Sequence, residues 1–372
     1  MKIVYFTHSL ASCWNHGNAH FLRGVLRELV ARGHEVVAYE PERAWSLQNL
    51  LADHGSSGLD AWRAAYPELE SRAYGQDVDL DAACDGADLV IVHEWNEPEL
   101  VAAIGATRRR SSFLLLFHDT HHRAVSDPEA IRRFDLESYD GVLAFGETLA
   151  AVYRQGGWGD RVFVWHEAAD VRLFKPPAEE LPRSGLVWIG NWGDGERTRE
   201  IEAFLLEPTR TLGMALDIHG VRYPPEALDM LMRYGASYRG WLPNAAAPAA
   251  FATRLATVHV PRRFYVESLP GIPTIRVFEA LACGIPLVCA PWRDSEGLFR
   301  PGDDFLIAET GDVMVSRLRA LRDDPDLRAA LAANGLATIR ARHTCAHRVD
   351  ELARIAAALG RPFRSPRLEA AQ

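Results

Sequence analysis
The 372-residue chain reads as an α/β protein of two doubly wound, Rossmann-like domains. Three observations predict this. The length exceeds one ordinary hydrophobic core. Short apolar runs of strand type alternate with helical patterns, which implies parallel sheets covered by helices on both faces. The alternation breaks once, at Pro176-Pro177-Ala178-Glu179-Glu180-Leu181-Pro182-Arg183-Ser184-Gly185, and restarts at Leu186. The predicted domains are therefore 1–176 and 177–343, with a terminal helix and tail over 344–372 packing back towards the first. Ligands of open α/β sheets sit outside the carboxyl ends of the strands, so a cleft faced by both domains is the expected site.

Lys2–Phe6 is the first strand, too short for the apolar core of a signal peptide. Residues 17–32 carry Phe21, Val25, Leu29 and Val30 on one side, an amphipathic helix that Arg32-Gly33-His34 stops. Strands follow at 34–40, 88–93, 113–118, 142–145 and 162–165. In the second domain they are predicted at 186–190, 215–219, 257–260, 286–290 and 305–308. Residues 344–359 place Val349, Leu352, Ile355 and Leu359 at helical spacing, and the polar tail 361–372 is expected to fray.

Composition narrows the function. At 48% hydrophobic and 24% charged residues this is ordinary globular material. No apolar run reaches the roughly 18 residues that span a bilayer. A formal net charge of −9 argues against nonspecific nucleic-acid binding. Cys13, Cys84, Cys283, Cys289 and Cys345 are odd in number and form no C-x-x-C pair, so free thiols and a cytoplasmic location are expected.

The most informative stretch runs from Thr274 to Val288: an N-cap, the helix Ile275-Arg276-Val277-Phe278-Glu279-Ala280-Leu281-Ala282, a glycine stop at Gly284, and a buried strand. Arg276 and Glu279 share a helix face near an N-terminus that favours phosphate. The pair suits a nucleoside diphosphate, Arg for phosphate and Glu for ribose; it is equally what a solvated i,i+3 ion pair looks like. Gly190-Asn191-Trp192-Gly193-Asp194-Gly195-Glu196-Arg197-Thr198-Arg199 is a glycine-rich loop entering a helix, either an anion cradle or a plain turn. Tyr238–Asn244 is a turn before a helix. In the first domain His118-Asp119-Thr120-His121-His122-Arg123 follows a strand. It contains enough ligands for a metal but on one loop, which rarely closes a site; a capping loop or a sugar contact are the other readings. The loops around His16 and Asn18, and Glu94-Trp95-Asn96, end neighbouring strands and suit a polar or aromatic acceptor.

These stretches resemble group 1 (family 4-like) glycosyltransferases of the GT-B architecture, over nearly the whole chain. In that family a Glu-Ala-hydrophobic-Ala-x-Gly helix holds the donor nucleotide, here Glu279 to Gly284. The family's other carboxylate stands eight positions earlier, where this chain has Gly271. The pattern Gly271-x-Pro273-x-x-Arg276-x-Phe278-Glu279-Ala280 is similar instead to the CgeB-like, spore-maturation-type subgroup. The resemblance implies a sugar moved from a nucleotide-diphosphate donor, UDP or GDP, to a small-molecule or glycan acceptor, with retention and no required metal or other cofactor. It implies donor contacts at Gly190, Asn191, Arg197, Arg199, Trp241, Leu242, Gly271, Ile272, Thr274 and Glu279. Arg197 and Arg276 would carry the leaving diphosphate, His118 would meet the reacting sugar, and a first-domain His or Asp119 would be the base if the transfer inverted instead. Acceptor contacts are expected from His16, Asn18, Glu94, Asn96, His121 and Arg123. Two other functions fit the same fold, a sugar-nucleotide epimerase and a non-catalytic sugar-nucleotide-binding protein.

Overall fold
A computed structural model describes residues 1–15, 17–75, 77–193 and 195–363. It divides the chain into two compact units. The first comprises Met1–Glu167 and the C-terminal segment from Cys345, and the second Ala168–Thr344. His16 and the tail beyond Phe363 lie outside the described residues.

The first unit is built on a seven-stranded parallel sheet. Its strands are β1 (Lys2–Phe6), β2 (Glu35–Pro41), β3 (Glu70–Tyr74), β4 (Leu89–His93), β5 (Leu114–Asp119), β6 (Gly141–Ala144) and β7 (Val162–Val164). They lie in the order β3-β2-β1-β4-β5-β6-β7, with Ile3 paired to Val36 on one side and Leu89 on the other. The central strands are apolar throughout because both faces are covered. The chain leaves β1 for β2 on one side and returns for β4 on the other, so the loops after β1 and β4 diverge and leave a crevice at the switch point. β3 was not anticipated, and Glu70, Arg72 and Ala73 are exposed on this edge strand.

The helix Cys345–Ala358 belongs to this first unit. It packs along the helix Asn18–Ala31, where Arg32 Nη2 donates to the Ala346 carbonyl at 3.0 Å and Nη1 pairs with Asp350 at 2.5 Å. Trp165, wholly buried, donates its indole N–H to the Arg348 carbonyl at 2.8 Å.

The second unit repeats the plan with six parallel strands: β8 (Leu186–Ile189), β9 (Leu216–His219), β10 (Ser237–Gly240), β11 (Ala256–His259), β12 (Leu287–Cys289) and β13 (Leu306–Ile307). Their order is β10-β9-β8-β11-β12-β13, with the switch point between β8 and β11. One core lies on each face of this sheet, one around Trp188, Ile201 and Leu318, the other around Phe251, Phe278 and Phe305. The unit begins at Ala168, upstream of the boundary expected at 176. Phe174 packs into the second core, the Ala169 N–H donates to the His343 carbonyl (3.0 Å), and Arg183 donates to the Gly284 carbonyl (3.3 Å). The proline-rich stretch is thus laid against this unit. The helix Ile275–Ala282 ends as read, with Gly284 at φ +62° and the Ile285 and Gly284 N–H groups reaching back to the Ala280 and Leu281 carbonyls. Among the described residues no helix is long and apolar enough to cross a membrane.

Trp165→Ala is expected to cost about 3–5 kcal/mol of stability, since it empties a large buried site. Trp165→Phe, which keeps most of the volume and loses the bond to Arg348, is expected to cost clearly less. Urea unfolding of both variants checks this.

Candidate functional site
The loops at the carboxyl ends of the second sheet are knit together by polar contacts. Arg197, at the end of the glycine-rich loop, donates from Nη2 to the Asn191 carbonyl and from Nη1 to the Val260 carbonyl, both at 2.6 Å. Asn191 follows β8 and Val260 follows β11, so this one guanidinium spans the switch point. Its other face lies 5.3 Å from the Trp188 ring centre. Glu196 adds a second tie, accepting from Arg262 Nε (2.9 Å) and the Arg263 N–H (3.1 Å). Asn191 Oδ1 accepts from the Val221 N–H at 2.9 Å, and Tyr223 donates to the Gly190 carbonyl at 2.8 Å. Gly220 lies so close that a Cβ there would sit 2.1 Å from the Gly190 oxygen. Arg199 is exposed on the following helix.

Glu279 is 1% exposed. Its carboxylate pairs through Oε2 with Arg276 Nη1, and Oε1 accepts from Asn244 Nδ2 at 3.2 Å. The pair with Arg276 is therefore half-buried, in contrast to the solvated pair that the spacing alone allowed. Asn244 stands after Trp241 and Leu242, so the turn following β10 is brought to Glu279 by a contact the sequence did not reveal. A carboxylate has about four lone-pair sites, of which Arg276 and Asn244 occupy two. Thr274 occupies the N-cap position at φ −84°, ψ 161°, but its side chain makes no capping bond; Oγ1 lies 3.2 Å from His259 Nε2. Gly271 has φ +97°, a conformation that favours glycine, and a Cβ there would fall 2.0 Å from Ser295 Oγ, which would have to rotate away. Ile272 is buried.

In the first unit the expected residues also meet at strand carboxyl ends, but mostly below the surface. Asn18 Nδ2 lies 2.7 Å from His93 Nε2 and donates to Thr120 Oγ1 at 2.9 Å. His93 Nδ1 lies 2.8 Å from Glu94 Oε2, both side chains buried. Burial, then the nearby Arg123, lowers the His93 pKa to about 3, and burial raises Glu94 well above the carboxylate range. The pair is neutral on both sides. Arg123 donates to the Glu94 carbonyl (3.0 Å) and covers the Trp95 ring at 4.6 Å, with His121 edge-on to the same ring. Asn96 is spent on backbone, donating to the Phe6 and His93 carbonyls.

His118 was expected to face the ligand. Its ring instead turns inward, 1% exposed, packed on Trp165 and Phe21, with Nδ1 bonded to the Tyr5 hydroxyl. His118 lies within β5, a central strand covered on both faces, so its side chain and that of Asp119 on the opposite face are both enclosed. Asp119 is also buried, accepting from Tyr153 Oη at 2.7 Å and the His121 N–H at 2.9 Å. Burial first and Glu94 second raise its pKa to about 8. Two groups that the motifs did not single out hold the loop after β1. Buried Glu40 accepts from the Leu10 and Ala11 N–H groups, and buried Arg23 donates to the Leu10 (2.8 Å) and Ala11 (3.0 Å) carbonyls. The signal was a polar residue closing the apolar run before Pro41 and a cation on the buried side of an amphipathic helix. Among the described residues no group of three or more His, Cys, Asp or Glu is placed to hold a metal ion.

With this geometry in view, comparison with known proteins is informative. Residues 197–354 match a family model described as Glycosyl transferase-like. The whole chain superposes on solved structures. Sucrose-phosphate synthase from Thermosynechococcus elongatus is 14% identical over 96% of this chain and 99% of that one, with TM-score 0.65. HepE of Anabaena, in complex with UDP-glucose, is 13% identical over 97% and 99%, with TM-score 0.67. T4 phage BGT with its UDP-glucose substrate is 11% identical over 96% and 99%, with TM-score 0.59. This is the GT-B fold. A search among curated protein sequences gave no match. Within the GT-B fold, Arg197, Trp241, Leu242, Gly271, Ile272, Thr274, Arg276 and Glu279 all fall in the stretch matched by the family model.

Two outcomes follow from the site's packing. Gly220→Ala is expected to separate the loops after β8 and β9 and to destabilise the protein by about 2 kcal/mol or more, read by thermal unfolding. The second concerns pH. The folded protein keeps a proton on Asp119 up to about pH 8, whereas the unfolded chain releases it near pH 4. The stability this carboxyl contributes is full below about pH 4 and is lost as pH rises towards 8, by up to about 1.4 kcal/mol per pH unit. Buried His93 and His259, both held neutral, act oppositely but only below about pH 6.5. Buried Glu94, also raised, acts in the same direction as Asp119, so stability should fall between about pH 6.5 and pH 8 and Asp119→Asn should make that fall shallower, as measured by urea unfolding across the range.

Proposed function
We propose that the protein transfers a sugar from a nucleoside-diphosphate donor, UDP- or GDP-linked, to a small-molecule or glycan acceptor, with retention of configuration. The observation that carries this reading is the buried Glu279 carboxylate, held by Arg276 and Asn244 on the helix that ends at Gly284. Arg276 and Asn244 orient the carboxylate, which in this reading accepts the ribose hydroxyls. UDP-glucose is bound in the HepE and T4 phage structures, which favours UDP among the candidate nucleotides.

The reaction separates a sugar from a diphosphate, so negative charge grows on the leaving phosphate. Arg276, the helix N-terminus at Thr274 and the charge of Arg197 at the switch point would stabilise it, because dipoles and charges fixed before reaction need no reorganisation. Gly190, Asn191, Gly271 and Ile272 bring backbone close to the phosphates and sugar, Arg199 adds an outer charge, and Trp241 and Leu242 border the base. In a retaining transfer with attack from the leaving-group face, the departing phosphate takes the acceptor's proton, and the protein need not supply a base. The buried, hydrogen-bonded state of His118 and Asp119 supports that route: in this reading they brace the loops, while Asn18, Glu94, Asn96, His121 and Arg123 shape the acceptor side around Trp95. His16 is read as a further acceptor contact. The Gly271-to-Ala280 pattern supports the CgeB-like subgroup. A cytoplasmic location is part of the reading.

Glu279→Ala is expected to weaken nucleoside-diphosphate binding by about tenfold to a hundredfold, the value of one or two hydrogen bonds to a charged group. Thermal-shift and calorimetric titration with UDP, GDP, ADP and dTDP would measure it. A folded variant with wild-type affinity overturns the assignment of Glu279, and a wild-type protein that releases no sugar from any such donor overturns the transferase reading.

A further inference from the structure
The end of β11 holds a histidine that the donor reading does not use. His259 is the last residue of β11 and is 5% exposed. Next to it, the Val260 carbonyl takes the 2.6 Å bond from Arg197. Nε2 lies 3.2 Å from Thr274 Oγ1, and Nδ1 is buried with no hydrogen-bond partner among the described residues. The ring stands at right angles to Trp292, 6.5 Å between centres. Burial, and then the positive charge of Arg197, hold the imidazole neutral, with its pKa lowered to about 3.

A neutral imidazole has one N–H. On Nδ1 that hydrogen would be a buried donor without an acceptor, which folded proteins seldom tolerate. On Nε2 it reaches Thr274 Oγ1, and what remains on Nδ1 is a bare lone pair, the lesser loss. Nε2–H therefore donates to the threonine oxygen. The hydroxyl's own proton must then point away from His259. Thr274 is half-buried at the start of the eight-residue helix Ile275–Ala282, and its oxygen makes no capping bond to that helix. The proton is left for something outside the chain, at a helix end that attracts anions.

We propose that His259 is a positioning residue for the donor: through Nε2 it fixes Thr274 so that the hydroxyl donates to a phosphate oxygen of a nucleoside diphosphate at this helix N-terminus. The inference rests on the donor reading of the same helix. It also assigns His259 a neutral role, as an orienting donor and not as a cation that meets the phosphate.

The test is calorimetric titration of the full chain with UDP, GDP and the corresponding nucleosides. Thr274→Val and His259→Phe are each expected to lose about tenfold in diphosphate affinity while keeping nucleoside affinity, the value of one charge-assisted hydrogen bond. Thr274→Ser should restore the loss. The double variant should be no worse than either single one, because both remove the same bond. The ratio of wild-type to His259→Phe affinity should stay constant between about pH 5.5 and pH 8, since a neutral ring does not titrate there. A ratio that falls as pH rises would mean a charged imidazole and overturns the neutral role. Equal losses for diphosphate and nucleoside would mean a purely structural residue and overturn the positioning role. Wild-type UDP or GDP binding with both variants unaltered overturns this inference alone; no diphosphate binding by the wild type overturns it together with the donor reading.

Discussion
The ligand edge of the second unit depends on one guanidinium. At a switch point the flanking connections leave in opposite directions, so the ends of β8 and β11 share no further ladder and their carbonyls need other donors. Arg197 supplies both, one Nη to Asn191 and the other to Val260. Its planar fork can bridge two acceptors at fixed separation, which an ammonium cannot do as rigidly. Once that span is set, Asn191 can receive the Val221 N–H, Gly190 can approach Gly220, and His259 lies beside a fixed positive charge. A residue that resembled a phosphate ligand is thus a structural staple, and in the proposed reading its charge also faces the donor.

The first unit meets the same problem with buried carboxyls. Glu40 and Arg23 satisfy the N–H and carbonyl groups of the loop after β1, an arrangement that fixes irregular backbone without a helix or strand. Nearby, Glu94, Asp119, His93 and His118 are enclosed where charge is costly, and they respond by losing it: carboxyls hold protons and imidazoles shed them. The result is two neutral hydrogen-bonded groups, Asn18 and Thr120 around His93, and Tyr153 with the His121 N–H on Asp119, beside Trp95 and Arg123. Rigidity of this kind helps a site recognise polar groups, because little ordering remains to be done when a ligand arrives.

The strand and helix plan was largely legible from the amino-acid order. Central strands such as Leu89–His93 and Leu114–Asp119 are apolar runs because both sheet faces are covered, and Gly284 ends its helix because the backbone there has positive φ. The two strands that escaped notice, Glu70–Tyr74 and Ser237–Gly240, are sheet edges. An edge strand has one neighbour and needs little apolar surface, so its pattern does not stand out from a loop.

The sequence by itself determined the α/β alternation, the two-unit plan, the glycine-dependent turns and the helix carrying Arg276 and Glu279, since these follow from local periodicity and backbone preference. Tertiary structure alone decided which way each polar side chain points and what it meets. His118 stands near the end of an apolar run just as a ligand residue would, yet it lies within a strand covered on both faces and is enclosed against Trp165 and Phe21. His259 looked like part of an apolar run and is placed against Thr274 by a contact fifteen residues away. Asn244 reaches Glu279 across 35 positions. Such pairings depend on how strands are ordered in the sheet, and that order is a property of the packed chain and not of any local stretch of it.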